Sequence, residues 1–351
     1  MESRSAVIPP RIEIGQAILP RSGEFIREIF KGRRCAVITD TTVAPLFAER
    51  LERSLTTAGF QPTLIAIPAG EQSKTFEQAG EICDEMIAAG LDRQSFVVGL
   101  GGGVVGDISG FVAAIFQRGI PHVQIPTTLL AMVDSSIGGK TGVNTRDGKN
   151  LIGAVHHPSL VIDDIDLLQT LPPRELHQGF AEIVKHAIIA DQKMFAELKH
   201  VDLANIVPLI RRNIEIKASV VATDEHDRSG ARAILNFGHT VGHAIERAGS
   251  YEKFLHGEAV SLGIVAASNV SMKKAGLPQE QRDAIVDLLR SFNLPTKLPA
   301  DFHREKIFEA LKFDKKFEGG QVRFVVTDGI GKARLTSDVT LEDIREAIEQ
   351  L

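Results

Sequence analysis

Cysteine is scarce: the 351 residues contain only Cys35 and Cys83. Neither belongs to a C-x-x-C pattern, so a disulfide framework and a cysteine-based metal motif are both excluded. The two read as small buried hydrophobes of a reducing compartment. Long apolar runs are also missing. None reaches the ~18 residues of a membrane span, and the opening MESRSAVIPPRIEIG has no signal-peptide core. A cytoplasmic protein with no membrane partner is therefore expected. Excess positive charge is absent too. A net charge of −5 leaves no electrostatic footprint for nucleic acid. What remains is the 43% apolar, 24% charged mix of a globular protein. A chain this long suggests roughly two domains and a large core without staples.

The first half alternates short β-branched runs with helical patterns. Strands are expected at 34–40, 62–70, 95–103 and 122–128, and helices at 43–59, 74–90 and 105–116. Alternation of this kind predicts a mostly parallel sheet covered on both faces. From about Pro172 the strand signals nearly vanish. Long amphipathic segments follow at 175–200, 204–223, 236–248, 256–275 and 278–292, with a short β signal at 321–328 and 333–338 around a GIGK turn. The pair Pro172-Pro173 marks the seam, because proline resists helix continuation. The expected domains are 1–171, α/β, and 172–351, mainly α-helical.

Within the first half, Gly101-Gly102-Gly103-Val104-Val105-Gly106 fits G-x-G-x-x-G between a strand and a helix. Such a turn brings backbone amides and a helix N-terminus to a pyrophosphate. It follows a later strand than an ordinary dinucleotide fingerprint does, and no acidic residue lies about 20 positions on. Asp40 closes the first strand, where a carboxylate can accept ribose hydroxyls. PAGEQSKT (68–75) places Glu71 and Lys74 in a polar loop. The stretch 133–154 reads as a polar, glycine-rich loop with Asp134, Lys140, Lys149 and Asn150, long enough to be functional. Its lysines suit phosphate or carboxylate capture.

In the second half, three polar clusters interrupt apolar helical stretches: GFAEIVKH (179–186), NFGHTVGH (236–243) and LHGEAVSLG (255–263). Glu182, His239 and His256 together form the two-imidazole, one-carboxylate set of a catalytic divalent metal with an open position, most often zinc. Glu182 and Lys185 share a helical face at i, i+3 and could be a solvated ion pair. His239 and His243, at i, i+4, could instead chelate a metal from one helix turn, as in HExxH. Thr240-Val241-Gly242 supplies no catalytic acid between them.

Taken in order, GGGVVGDISGF, RGIPHVQIPTTLLAMVDSSIGGKTGVN, TLPPREL, GFAEIVKH, LNFGHTVGHAIE and LHGEAVSLG resemble the successive signatures of the 3-dehydroquinate synthase family, from about residue 35 to about 330. The resemblance implies an N-terminal Rossmann-like NAD-binding α/β domain and a mainly helical metal-binding domain, with the site in the cleft between them. It implies Glu182, His239 and His256 as ligands of Zn2+ or Co2+, with His243 on the substrate side. NAD would meet Asp40, Thr42, Glu71, Lys74, Gly102, Gly103, Val104, Val105, Gly106, Asp107, Thr127, Thr128, Lys140, Lys149, Leu167 and Thr170. The substrate would meet Arg118, Asp134, Lys140, Asn150, Lys185, Lys217, Arg232, Asn236 and His243. The chain departs from the pattern at Thr42, where asparagine is common, at Met132, where glutamine is frequent, and at His156-His157-Pro158.

The implied reaction is the second step of the shikimate pathway. An anionic sugar phosphate, 3-deoxy-D-arabino-heptulosonate 7-phosphate, is oxidised transiently, loses phosphate by β-elimination, is re-reduced, opens and closes by an aldol step to 3-dehydroquinate. The family also implies a homodimer. A related cyclase for a non-carboxylated sugar phosphate, a metal-dependent alcohol dehydrogenase and a nucleotide sensor are the rival readings. Lys217, Arg232, Asn236 and His243 favour a carboxylated substrate.

Overall fold

The computed structural model describes residues 11–146, 148–224, 230–311 and 322–351. The first half builds one sheet. Its strands are β1 (Ile12–Gly15), β2 (Arg34–Asp40), β3 (Gln61–Ile67), β4 (Phe96–Gly101), β5 (His122–Pro126) and, further along the chain, β8 (Leu160–Asp164). They lie in the order β1-β8-β5-β4-β2-β3, and every pairing is parallel. Strands β4, β5 and β8 are buried along their whole length, as a parallel sheet covered on both faces requires.

Because side chains alternate along a strand, neighbours in β2 go to opposite cores. Cys35 and Val37 join Phe25, Ile26, Leu51 and Leu55, from helices α1 (Ser22–Ile29) and α2 (Glu49–Thr57). Ala36 and Ile38 join Ile82, Met86, Ile108 and Val112, from α3 (Phe76–Ala88) and α4 (Gly103–Ile115).

The stretch expected as a loop is structured. After a π-helical turn at Ala131–Ser135, β6 (Lys140–Thr145) and β7 (Gly148–Val155) form an antiparallel hairpin. Polarity and glycine content hid it. Gly142 opposes Gly153, Val143 opposes Ile152, and Thr141 Oγ1 donates to the Ala154 carbonyl at 2.9 Å. Only Val143 enters the core. Position 147, inside the turn of that stretch, lies outside the described residues.

The second half is mainly helical: α5 (Pro173–Ala190), α6 (Gln192–Glu197), α7 (Val207–Thr223), α8 (His239–Ala248), α9 (His256–Lys274), α10 (Gln279–Ser291), α11 (Arg304–Leu311) and α12 (Leu341–Glu349), with an antiparallel pair β9 (Val322–Thr327) and β10 (Ala333–Val339). The turn between those strands is closed by Lys332 N to Gly329 O at 3.0 Å. Position 321 of the expected strand lies outside the described residues. Among the described residues, no helix is long and apolar enough to cross a membrane.

Contacts group the chain into Met1–Leu171 with Val207–Ala222, and Pro172–Ile206 with Thr223–Leu351. That grouping puts Val207–Ala222, most of α7, with the first unit, whereas a division at 171/172 would count it with the second. Within the first unit, α7 is fastened by Lys217, whose amine lies 2.7 Å from both the carbonyl and the carboxylate of Asp134.

Candidate metal centre and anion-binding turn

Helix α9 is the scaffold of the second unit. It is buried from Gly257 through Ser268 except for an intermediate Glu258, and it packs against α5, α8, α10 and α12. Small residues permit that closeness. A Cβ on Gly257 would stand 2.1 Å from the Gln178 carbonyl of α5, and one on Gly263 would stand 2.0 Å from the Gly238 carbonyl ahead of α8. Only glycine fits at these two crossings, and through them α5, α8 and α9 each deliver one polar side chain to a common point.

Those side chains are Glu182, His239 and His256, whose ligand atoms all lie within 4.8 Å of one another. The Glu182 carboxylate is wholly buried, and neither oxygen takes part in a well-formed hydrogen bond. It is 3.4 Å from His239 Nε2 and 3.5 Å from His256 Nε2. These separations are long for hydrogen bonds and suit groups that converge on a shared cation. Each imidazole is held at its other nitrogen: His239 Nδ1 lies 3.3 Å from the Phe237 carbonyl, and His256 Nδ1 lies 3.3 Å from Glu246 Oε2. Holding Nδ1 as the N–H leaves Nε2 as the ligating atom. The donor set fits a tetrahedral divalent cation with one open position.

The electrostatics agree. Burial pushes the Glu182 carboxyl up, but the Lys185 ammonium and His239 outweigh it and hold the group well below the usual carboxylate range. Lys185 pairs with Glu182 directly, and both are buried, so this is no solvated pair. Burial and Lys185 together lower the His239 imidazole. Against burial, the Glu246 and Glu182 carboxylates raise His256 to about 10. Loading a cation onto His256 must therefore release a proton.

His243 is exposed on α8. Its ring is 5.2 Å from that of His239 and 6.1 Å from that of His256. It clusters with Glu246 and His256, so the i, i+4 pair on α8 is not the trio that converges on Glu182. Arg232, buried, and Asn236, half-buried, lie in the 3-10 segment Ala231–Asn236, which packs against α5.

In the first unit, β4 ends at Gly101 and α4 begins at Gly103. The N-cap Gly102 offers no side-chain acceptor, and the first turn is closed by Gly106 N to Gly102 O at 3.0 Å. The amides of Gly103, Val104 and Val105 precede that bond, and amides at such a helix start can receive an anion. Thr127 N donates to the Gly101 carbonyl at 2.9 Å. Thr128 and Ser135 pack close over Gly102 and Gly103.

Beside this turn lies a polar network. Lys74 Nζ bonds the Asp107 carboxylate, and it donates to Asn150 Oδ1 at 2.5 Å. Lys149 Nζ is 3.6 Å from Glu71 Oε2. Burial raises the Asp107 carboxyl, and Lys74 only partly offsets this. Asn144, which carries no signal in the sequence, knits the network together. Its Nδ2 donates to Glu71 Oε1 at 2.7 Å, its Oδ1 accepts from Asn150 N at 3.0 Å, and its own amide donates to the Lys74 carbonyl at 2.7 Å.

Other expected residues have structural employment. Asp40 Oδ1 accepts from Thr42 N at 2.8 Å and Val43 N at 2.9 Å, capping the turn after β2. The Leu167 side chain belongs to the core, so only its backbone can face a ligand; Thr170 Oγ1 donates to its carbonyl at 3.0 Å. Lys140 is exposed at the start of β6. Arg118 is exposed after α4 with φ +69°.

Profiles described as the 3-dehydroquinate synthase N-terminal and C-terminal regions match residues 64–178 and 179–317. A 3-dehydroquinate synthase of Desulforamulus reducens is 44% identical over 346 residues, covering 97% of this chain and 96% of that one. Among solved structures, 2-epi-5-epi-valiolone synthase from Streptomyces hygroscopicus subsp. jinggangensis, with NAD+ and Zn2+ bound, is 30% identical at a TM-score of 0.87, covering 97% of this chain and 95% of its own. A 2-deoxy-scyllo-inosose synthase complexed with carbaglucose-6-phosphate, NAD+ and Co2+ is 27% identical at a TM-score of 0.88, covering 97% and 96%.

Proposed function

The chain belongs to the 3-dehydroquinate synthase family, and on that premise we propose that it converts 3-deoxy-D-arabino-heptulosonate 7-phosphate to 3-dehydroquinate and inorganic phosphate. NAD and a divalent cation, Zn2+ or Co2+, are the resident groups. The observation that carries the reading is the buried convergence of Glu182, His239 and His256. Bound NAD supplies a reversible hydride acceptor, and the bound cation supplies Lewis acidity.

The side chains do the rest. Lys185 keeps Glu182 ionised in spite of its burial. The Phe237 carbonyl and Glu246 hold the two imidazoles with Nε2 toward the carboxylate. The amides of Gly103, Val104 and Val105 receive a pyrophosphate at the start of α4, beside Gly102, Gly106, Thr127 and Thr128. Glu71, Lys74, Asp107 and Lys149 form the polar flank of that site. Asp40, Thr42, Leu167 and Thr170 border the dinucleotide. The substrate carries a carboxylate and a phosphate, so it needs cations for both ends. Lys140, Lys217, Arg118, Lys185 and Arg232 are the side chains proposed to supply them. Asp134, Asn150 and Asn236 hydrogen-bond substrate hydroxyls. His243, exposed on α8, relays a proton at its ring nitrogen. A homodimer in the cytoplasm, using its two free thiols only as packing groups, completes the proposal.

The test is phosphate release. Purified protein with NAD and Zn2+ or Co2+ should liberate phosphate from the heptulosonate phosphate without accumulating NADH, because the oxidation is reversed within each turnover. Steady NADH formation from a simple polyol, without phosphate release, would replace this reading with the dehydrogenase one.

A further inference from the structure

Helix α8 carries more than its one ligand, His239. His239, His243 and Glu246 are spaced i, i+4 and i+7, so they share one helical face. Glu246 is only 3% exposed. Burying a carboxylate is costly unless it has a specific partner. Its Oε2 lies 3.3 Å from Nδ1 of His256, a residue of a different helix, whose Nε2 faces Glu182 at 3.5 Å. His256 therefore stands between two carboxylates, one at each ring nitrogen. His239 differs: among the described residues, its Nδ1 meets the neutral Phe237 carbonyl.

We propose that Glu246 is a positioning residue for the cation site. It accepts the Nδ1 proton of His256, fixes the ring with Nε2 toward Glu182, and makes His256 the more strongly donating of the two imidazoles. The proposal rests on the reading of Glu182, His239 and His256 as ligands. Its physical basis is general: a carboxylate on the far nitrogen of a ligating histidine fixes tautomer and orientation, and losing such a partner typically costs about 10–100-fold in metal affinity. The two imidazoles are not treated alike. Of the two imidazoles, the one nearer solvent has the charged partner: the His256 side chain is 31% exposed and that of His239 11%.

The experiment measures Zn2+ affinity of the metal-stripped full-length protein by competition with a chromogenic chelator, together with the visible d–d spectrum after Co2+ loading. Glu246→Ala should weaken Zn2+ binding by about 10–100-fold and alter the Co2+ spectrum, while NAD affinity stays at the parent value. Glu246→Gln keeps an acceptor oxygen but loses the charge, so its affinity loss should be smaller and its spectrum closer to the parent's. Parent-like Zn2+ affinity and Co2+ spectrum in Glu246→Ala would overturn the proposal. Should that variant fail to fold, Glu246→Gln decides alone: an affinity identical to the parent's overturns the proposal, and a measurable loss upholds it. His256→Ala is the control for the underlying reading. If it binds Zn2+ as tightly as the parent, the ligand assignment itself has failed, and the role of Glu246 falls with it.

Discussion

The two units build their candidate sites from different materials. In the first, the anion site is mostly backbone: three amides at the start of α4, bared by a glycine N-cap, with a side-chain network beside them. In the second, the site is all side chain: a carboxylate and two imidazoles brought together by glycine crossings. Backbone sites tolerate many sequences because every residue has an amide. Side-chain sites do not, because few residue types ligate a divalent metal. Single substitutions should therefore act sharply in the second unit and more gently in the first.

Losing a ligand should have the largest effect. His256→Ala is expected to lose bound metal and more than the ~100-fold in activity that loss of an outer partner costs, with NAD binding and fold intact. Metal content, phosphate release and NAD titration read this out. A parent-like metal content would break the contrast at its root.

Next comes Lys185→Met. Glu182 and Lys185 are both buried, and deleting one partner of such a pair typically costs roughly 3–5 kcal/mol. Metal-free protein should lose about that much in urea unfolding. Saturating Zn2+ should restore most of it, because a cation replaces the missing positive charge. Equal losses with and without Zn2+ would show that the cation does not sit against Glu182.

In the first unit, Lys74→Met removes charge-assisted bonds to Asp107 and Asn150, each kind worth about 1.5–3 kcal/mol. It should raise the KM for NAD by about tenfold or more and leave Zn2+ affinity unchanged. A change in Zn2+ affinity without one in KM would invert the comparison.

The smallest effect concerns pH. His122 on β5 is wholly buried, and among the described residues neither ring nitrogen has a hydrogen-bond partner. Burial, aided by His156 and His157, lowers it to about 3. The unfolded chain, with an ordinary value of ~6.5, binds the proton that the folded chain refuses. Stability is therefore present above that value and falls as the pH drops through the window down to about 3. Between pH 7 and pH 5 the loss should be about 2 kcal/mol. His122→Gln should flatten that slope in urea titrations at the two pH values.

Much of this was legible in the residues themselves. The apolar runs of β2, β4 and β5 announce a covered parallel sheet. Glu182, His239 and His256 stand out because ionisable groups rarely occur in apolar helices without a task. β8 gives no clear strand signal, because Asp163-Asp164 makes its end look like a loop. β6 and β7 read as a loop, because the stretch around them is rich in glycine and charge and their pairing runs through Gly142 and Gly153. Asn144 and Glu246 look like ordinary surface polar residues in one dimension. What distinguishes them is a partner far along the chain or on another helix, and no local pattern records that. α7 was correctly expected as a helix, but its allegiance is set by Lys217 reaching Asp134, a matter of tertiary contact.

That allegiance bears on how the polypeptide is made. The first unit is not finished when Leu171 has left the ribosome. It stays one helix short until Ala222 has followed, with Pro172–Ile206 already emerged in between. A fragment cut at the proline pair should therefore be poorly soluble, whereas one extended through Ala222 would have to carry a stretch belonging to its neighbour. No single scission separates the two units with all their segments intact.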